Sequence, residues 1–151
     1  MNERATVRET RMPAGASPDS SETGLAREVI AAWCRRDLDW LIEHSAPDVE
    51  LRPMMWTGDA FRGREGLTVF VRDFLPNYEG LRIDIERVRR AADPVALDVR
   101  LRAHLRESDA DLDDHATFVF DIRDGRLVRY AGHVDEAAIA AALPSPPQAT
   151  D

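Results

Sequence analysis

The sequence predicts a single α+β domain in which helices pack against one bent antiparallel sheet. Three observations predict it. An apolar stripe at helical spacing precedes Arg36, the apolar repeat changes from helical to alternating after Leu81, and an Asp124-Gly125 pair separates two alternating runs. At 151 residues, 44% of them hydrophobic, the chain is long enough for one core and too short for two comfortable ones.

Each element has a local cause. After possible caps at Asp19, Ser20 or Ser21, apolar residues recur at Ala26, Val29, Ile30 and Trp33, and again at Leu38, Leu41 and Ile42 beyond a break at Arg36-Asp37. This spacing predicts one long helix and one short one. Pro47 cannot continue a helix, and Val49 and Leu51 alternate with Glu50 and Arg52 in a first strand that reaches Met54. Residues 55–62 show no period, after which Leu67, Phe70, Val71 and Phe74 predict a third helix that opens at Gly63 and stops at Pro76-Asn77. Leu81, Ile83 and Ile85 mark one strand, and Val95, Leu97, Val99 and Leu101 another, with Ala91-Ala-Asp-Pro94 between them. A further strand surrounds Phe118 and Phe120, and the last runs from Arg126 to about Val134. Asp135 then sits where an N-cap belongs, ahead of a helix that ends at Leu143.

The order is therefore ααβαββββα over residues 19–143. The flanks at 1–18 and 144–151 are expected to be flexible tails, because their charge and proline content leaves little apolar surface to offset ordering.

Twenty basic against 28 acidic residues leave a formal charge of −8, which argues against nucleic acid as a partner. No apolar run has the length of a membrane span or a secretory signal, so a soluble, cytoplasmic protein is expected. Cys34, the single cysteine, excludes an internal disulfide and a multi-cysteine metal site, and is read as a core or near-core thiol. No phosphate loop, dinucleotide fingerprint, nucleophile elbow or zinc-protease string occurs, so neither a cofactor nor a metal is expected.

Several local strings resemble the SnoaL-like branch of the nuclear-transport-factor-two-like superfamily, which includes ketosteroid isomerases, polyketide cyclases and limonene-type epoxide hydrolases. They are Arg35-Arg-Asp-Leu-Asp-Trp40, Ala46-Pro-Asp-Val-Glu50, Arg62-Gly-Arg-Glu-Gly66 and Arg123-Asp-Gly-Arg-Leu-Val-Arg129, and the resemblance extends over residues 22–143. It implies a cone-shaped sheet, a cystatin-like α+β barrel, whose mouth is closed by helices around an apolar cavity. No branch's complete catalytic set transfers. Arg52 stands where the isomerases place an Asp, Val29 near their tyrosine, Thr117 at their second acid, and Gly132 at the hydrolases' last-strand Asp. Arg100-Leu-Arg102 keeps the arginine of the hydrolases' Arg-x-Asp pair and loses the carboxylate.

Hairpin arithmetic groups the remaining candidates. A tight turn at Asp109-Ala110 would set His104 opposite His115, and the Asp124-Gly125 turn would set Thr117 beside Gly132 and Val119 beside Tyr130. One face would then carry Asp98, Arg100, Arg102, His104, His115, Thr117 and Tyr130. The other would carry Val99, Leu101, Phe118 and Phe120, with His133 also pointing away from His115.

If the polar face lines the cone, His104 and His115 are the acid/base pair and Arg100 holds a developing anion. Trp33, Met54, Trp56, Arg102, Thr117 and Tyr130 then contact the substrate, with Met55 beside them at the cavity mouth. If that face is outward, the phenylalanines fill the core and the charges form a cross-strand ladder. The expected function is a cofactor-independent isomerase, cyclase or hydrolase for a hydrophobic substrate. Its alternatives are a non-catalytic ligand-binding protein and an assembly module, with a homodimer through the sheet.

Overall fold

The computed structural model describes residues 21–143 apart from Met55. The expected tails, the caps considered at Asp19 and Ser20, and the rim role of Met55 lie outside the described residues. Helix α1 (Ser21–Arg35) buries Ala26, Val29, Ile30, Ala32 and Trp33 along one stripe. It stops where Arg36 turns into the left-handed region, at φ 59°. Asp37 then caps α2 (Leu38–Glu43), its carboxylate accepting the Trp40 N–H at 3.1 Å. Cys34 is exposed on α1 rather than lying in the core.

The strands are β1 (Ser45–Arg52), β2 (Phe61–Arg62), β3 (Tyr78–Arg90), β4 (Val95–Leu105), β5 (Ala110–Arg123) and β6 (Arg126–His133). They form one sheet in the order β2-β1-β6-β5-β4-β3. Four pairings are antiparallel, whereas β1 and β6 run parallel, so the sheet is mixed. The parallel pair joins the first long strand to the last, a contact between distant parts of the chain that no hairpin can produce. The two-residue β2 is an addition to the expected order, in the stretch without a period. Helix α3 (Gly63–Val69) runs on through a π turn at Phe70–Phe74 and a tighter turn at Leu75–Asn77. Helix α4 (Glu136–Ala142) starts at Asp135, whose carboxylate accepts the Ala137 N–H at 3.4 Å, and buries Ile139 against the other face of the sheet. Among the described residues no helix is long and apolar enough to cross a membrane.

The core lies between the helices and the inner face of the sheet. Trp33 is at its centre, with ring centroids 4.6 Å from Tyr130, 5.6 Å from Phe70, 5.9 Å from Phe120 and 6.0 Å from Phe118. Leu97 and Val99 of β4 and Leu51 of β1 complete it, all fully buried.

Two registers differ from the hairpin arithmetic. The β4–β5 loop spans Arg106–Asp109, with Leu105 opposite Ala110, so His104 faces Asp111 and His115 faces Arg100. Asp109 takes φ 53°, a left-handed conformation that aspartate tolerates and that lets the longer loop close. The β5–β6 turn does form at Asp124-Gly125, both at positive φ, as the two-residue mirror-image turn requires. Beyond it, however, Ile122 pairs with Leu127 and Asp121 with Arg129, which leaves Val128 as an extra residue. That bulge shifts the rest of β6 by one position. Tyr130 therefore faces Phe120, on the inner side, and His133 faces Thr117, on the outer side.

Candidate ligand cavity

The inner face of the sheet, not the polar one, looks into the cone. Apolar residues at Leu97, Val99, Phe118 and Phe120 can be buried without compensation, whereas the alternating charges opposite them cannot. Within this core is a cavity of about 40 Å³, walled by Trp33, Met54, Phe70, Phe74, Leu101 and Phe118 and reached by Tyr78 and Tyr130. No carboxylate, histidine or arginine lines it.

Its polar equipment consists of one indole and two phenols. The Trp33 Nε1 is buried and has no hydrogen-bond partner among the described residues, in a side chain only 2% exposed. A buried donor without an acceptor is costly, so this N–H is a natural point of attachment for an oxygen that enters the cavity. Burial pushes the phenols of Tyr78 and Tyr130 upward, Tyr130 far above its ordinary value, so both remain protonated donors at neutral pH. Gly132 makes room for one of them. A side-chain carbon at that position would lie 2.8 Å from the Tyr130 hydroxyl and 3.0 Å from the Met54 backbone nitrogen. The position where the resemblance places a catalytic Asp is thus filled by the tyrosine hydroxyl from two residues earlier.

At the rim, Trp56 is anchored by its indole N–H, which donates to the Asp59 carbonyl at 2.8 Å. Its ring stacks on Phe61 at 5.1 Å and meets Phe74 edge-on at 5.6 Å. These rings wall an open cleft of about 450 Å³, which shares Phe74 and Tyr78 with the inner cavity.

The other expected site residues lie on the outer face, with their charges already matched. Arg100 makes a two-point contact with Asp113 at 2.8 and 2.9 Å, and Arg102 pairs with Asp84. His115 Nδ1 lies 2.9 Å from Glu86, and His104 lies between Asp111 at 3.0 Å and Asp109 at 2.9 Å. Those two carboxylates, Asp111 first, raise the His104 pKa. Thr117 is buried on this side, and its hydroxyl donates to Asp98 at 2.7 Å. Desolvation pushes the Asp98 carboxyl up, but hydrogen bonds from Thr117, Arg89 and Arg87 outweigh it and hold the pKa below its ordinary value. His104 and His115 are not opposite one another, because the longer loop places the Arg102–Asp113 rung between theirs.

Of the expected ligand-contacting residues, Trp33, Met54 and Tyr130 meet at the inner cavity and Trp56 at the outer cleft, while Arg102 and Thr117 do not reach either. Sequence reasoning left Phe70, Phe74, Tyr78, Leu81 and Ile83 out of the site. The first two were legible as the apolar side of α3, and Leu81 and Ile83 as alternating residues, but nothing local shows that Tyr78 begins the strand facing them. Among the described residues no group of three His, Cys, Asp or Glu side chains is placed to hold a metal ion.

An NTF2-like protein of unknown function from Burkholderia pseudomallei K96243 superimposes with a TM-score of 0.66 at 19% identity, over 83% of this chain and 99% of that one. A putative SnoaL-like polyketide cyclase from Jannaschia sp. CCS1 gives 0.62 at 19% identity, over 85% and 97%. A Mycobacterium tuberculosis protein in complex with estradiol-17beta-hemisuccinate gives 0.64 at 15% identity, over 76% and 93%. No curated protein sequence matches the chain. The family model for the SnoaL-like domain matches residues 26–130, and with the cone-shaped fold this establishes that the chain belongs to the SnoaL-like domain family.

Proposed function

We propose that this protein binds a small hydrophobic ligand carrying a hydrogen-bond acceptor, and that it does so as a binding or accessory protein rather than as an acid/base enzyme. The observation that carries this reading is the unpartnered, buried Trp33 indole N–H at a cavity walled by apolar side chains and two neutral phenols. Such a set can grip a carbonyl or ether oxygen, but it holds no group that can remove a proton near neutral pH. The steroid derivative held by the Mycobacterium tuberculosis neighbour is in keeping with an apolar ligand on this scaffold.

The cavity as it stands holds only a few waters' worth of space. Entry therefore requires Phe74 and Tyr78, which are only partly buried and border the outer cleft as well, to swing aside. An acid/base role for His104, His115 and Arg100 would need a second site on the outer face, where an open cleft of about 240 Å³ is lined by His115, Asp98 and Thr117 but by neither His104 nor Arg100. A homodimer through that outer face belongs to the proposal as well, and sedimentation velocity tests it.

Indanone and indane, which differ by one carbonyl, test the binding reading. Indanone should bind and shift the Trp33 indole N–H resonance, indane should bind more weakly, and Trp33→Phe should remove the difference. Equal binding of the two compounds, or turnover of ketone substrates that survives Trp33→Phe, would overturn the proposal.

A further inference from the structure

The outer cleft has a chemistry of its own. Its walls are aromatic, and the two charged groups on its lining, Asp73 and Glu107, are both carboxylates. Neither has an ion-pair partner among the described residues. The cations next to them in sequence are engaged or face elsewhere. Arg106 pairs with Glu79 at 3.3 Å, and Arg72 lines a different cleft beside Arg36 and Asp37.

We infer that this cleft is a binding site for a small organic ammonium ion, with Trp56, Phe61, Phe74 and Tyr78 as its aromatic wall and Asp73 and Glu107 as its counter-charges. The rings form one connected set, with centroids 5.1 Å apart for Trp56 and Phe61, 5.7 Å for Phe61 and Phe74, and 5.2 Å for Phe74 and Tyr78. Aromatic faces attract a methylated ammonium through the ring quadrupole, and such an ion gives up little hydration on entering. The competing occupants fit less well. A neutral apolar molecule would bury against the rings but leave two desolvated carboxylates without a counter-charge, and a hard metal ion would need several converging oxygen ligands where, among the described residues, no three His, Cys, Asp or Glu side chains are placed to hold one. An anion would meet two like charges. The volume of about 450 Å³ is in the range of small-molecule sites.

This inference concerns the outer cleft alone and stands whether or not the inner cavity takes a ligand. Choline, titrated against dimethylbutanol, its isostere with carbon in place of nitrogen, tests it at low salt on the intact protein. The readout is the Trp56 indole N–H resonance, assigned by its loss in Trp56→Phe. Choline should shift it saturably, and dimethylbutanol should bind about tenfold more weakly or worse. The Asp73→Asn, Glu107→Gln double variant, altered only at exposed side chains, should weaken choline by a similar factor. An equal response to both compounds, unchanged affinity in the double variant, or no saturable shift would each overturn the inference. The Trp33 resonance reports the inner cavity separately.

Discussion

Phe120 stands directly opposite Tyr130 across β5 and β6, with ring centroids 5.4 Å apart. Were Val128 paired with Asp121 instead of bulged out, the partner of Tyr130 would be Val119, and its hydroxyl would point to the outer face. One bulge therefore decides whether the cavity has a second phenol beside that of Tyr78.

Deleting Val128 should consequently cost far less than inserting a second residue beside it. Removal leaves Leu127 opposite Ile122, Arg129 opposite Asp121 and Tyr130 opposite Phe120 in an unbroken ladder, whereas an alanine inserted after Val128 forces the distal part of β6 to trade faces, exposing Tyr130 or breaking its pairing. The deletion should stay within about 2 kcal/mol of the parent, and the insertion should lose more than about 3 kcal/mol, as read by urea denaturation.

Gly132→Ala should destabilise the protein by about 1–3 kcal/mol, because the new methyl meets both the Tyr130 hydroxyl and the Met54 backbone. Combining it with Tyr130→Phe should recover part of the loss. A double-mutant cycle in thermal melts measures the coupling.

His104 and His133 should titrate in a fixed order. Carboxylates at Asp111 and Asp109 raise His104, whereas desolvation lowers His133. The His104 contribution to stability is fully present below its unfolded pKa of about 6.5 and is lost as pH rises through its higher folded value. His133 acts oppositely: its neutral burial is favourable above about 6.5 and is lost as pH falls below that value. Titration of the ring protons by NMR should give His133 the lower pKa, and Asp111→Asn should bring His104 downward.

His104→Ala and His115→Ala should leave indanone affinity within about twofold of the parent, since both side chains lie on the sheet face turned away from the cavity. Isothermal calorimetry checks this. A large loss in either variant would place the ligand on the outer face instead.

Much of this architecture is legible in local sequence. The stripe from Ala26 to Trp33, the break at Arg36-Asp37, the cap at Asp135, the alternating run from Val95 to Leu101 and the Asp124-Gly125 turn each follow from forces acting within a few residues. The grouping of Asp98, Arg100, Arg102, His104, His115 and Thr117 on one face also follows, because the β4–β5 loop differs from the expected one by an amount that preserves parity. By itself, then, the sequence determined the long elements, their order and which residues of β4 and β5 share a side. Three things were left to the tertiary structure: the parallel pairing of β1 with β6, the bulge at Val128 and the face that turns inward. Alternation states that two faces differ but not which one the helices cover, and that is decided when Trp33 and Phe70 find the apolar side. The bulge leaves its trace only once burial is known, in Leu127 and Tyr130 lying buried three positions apart on one strand.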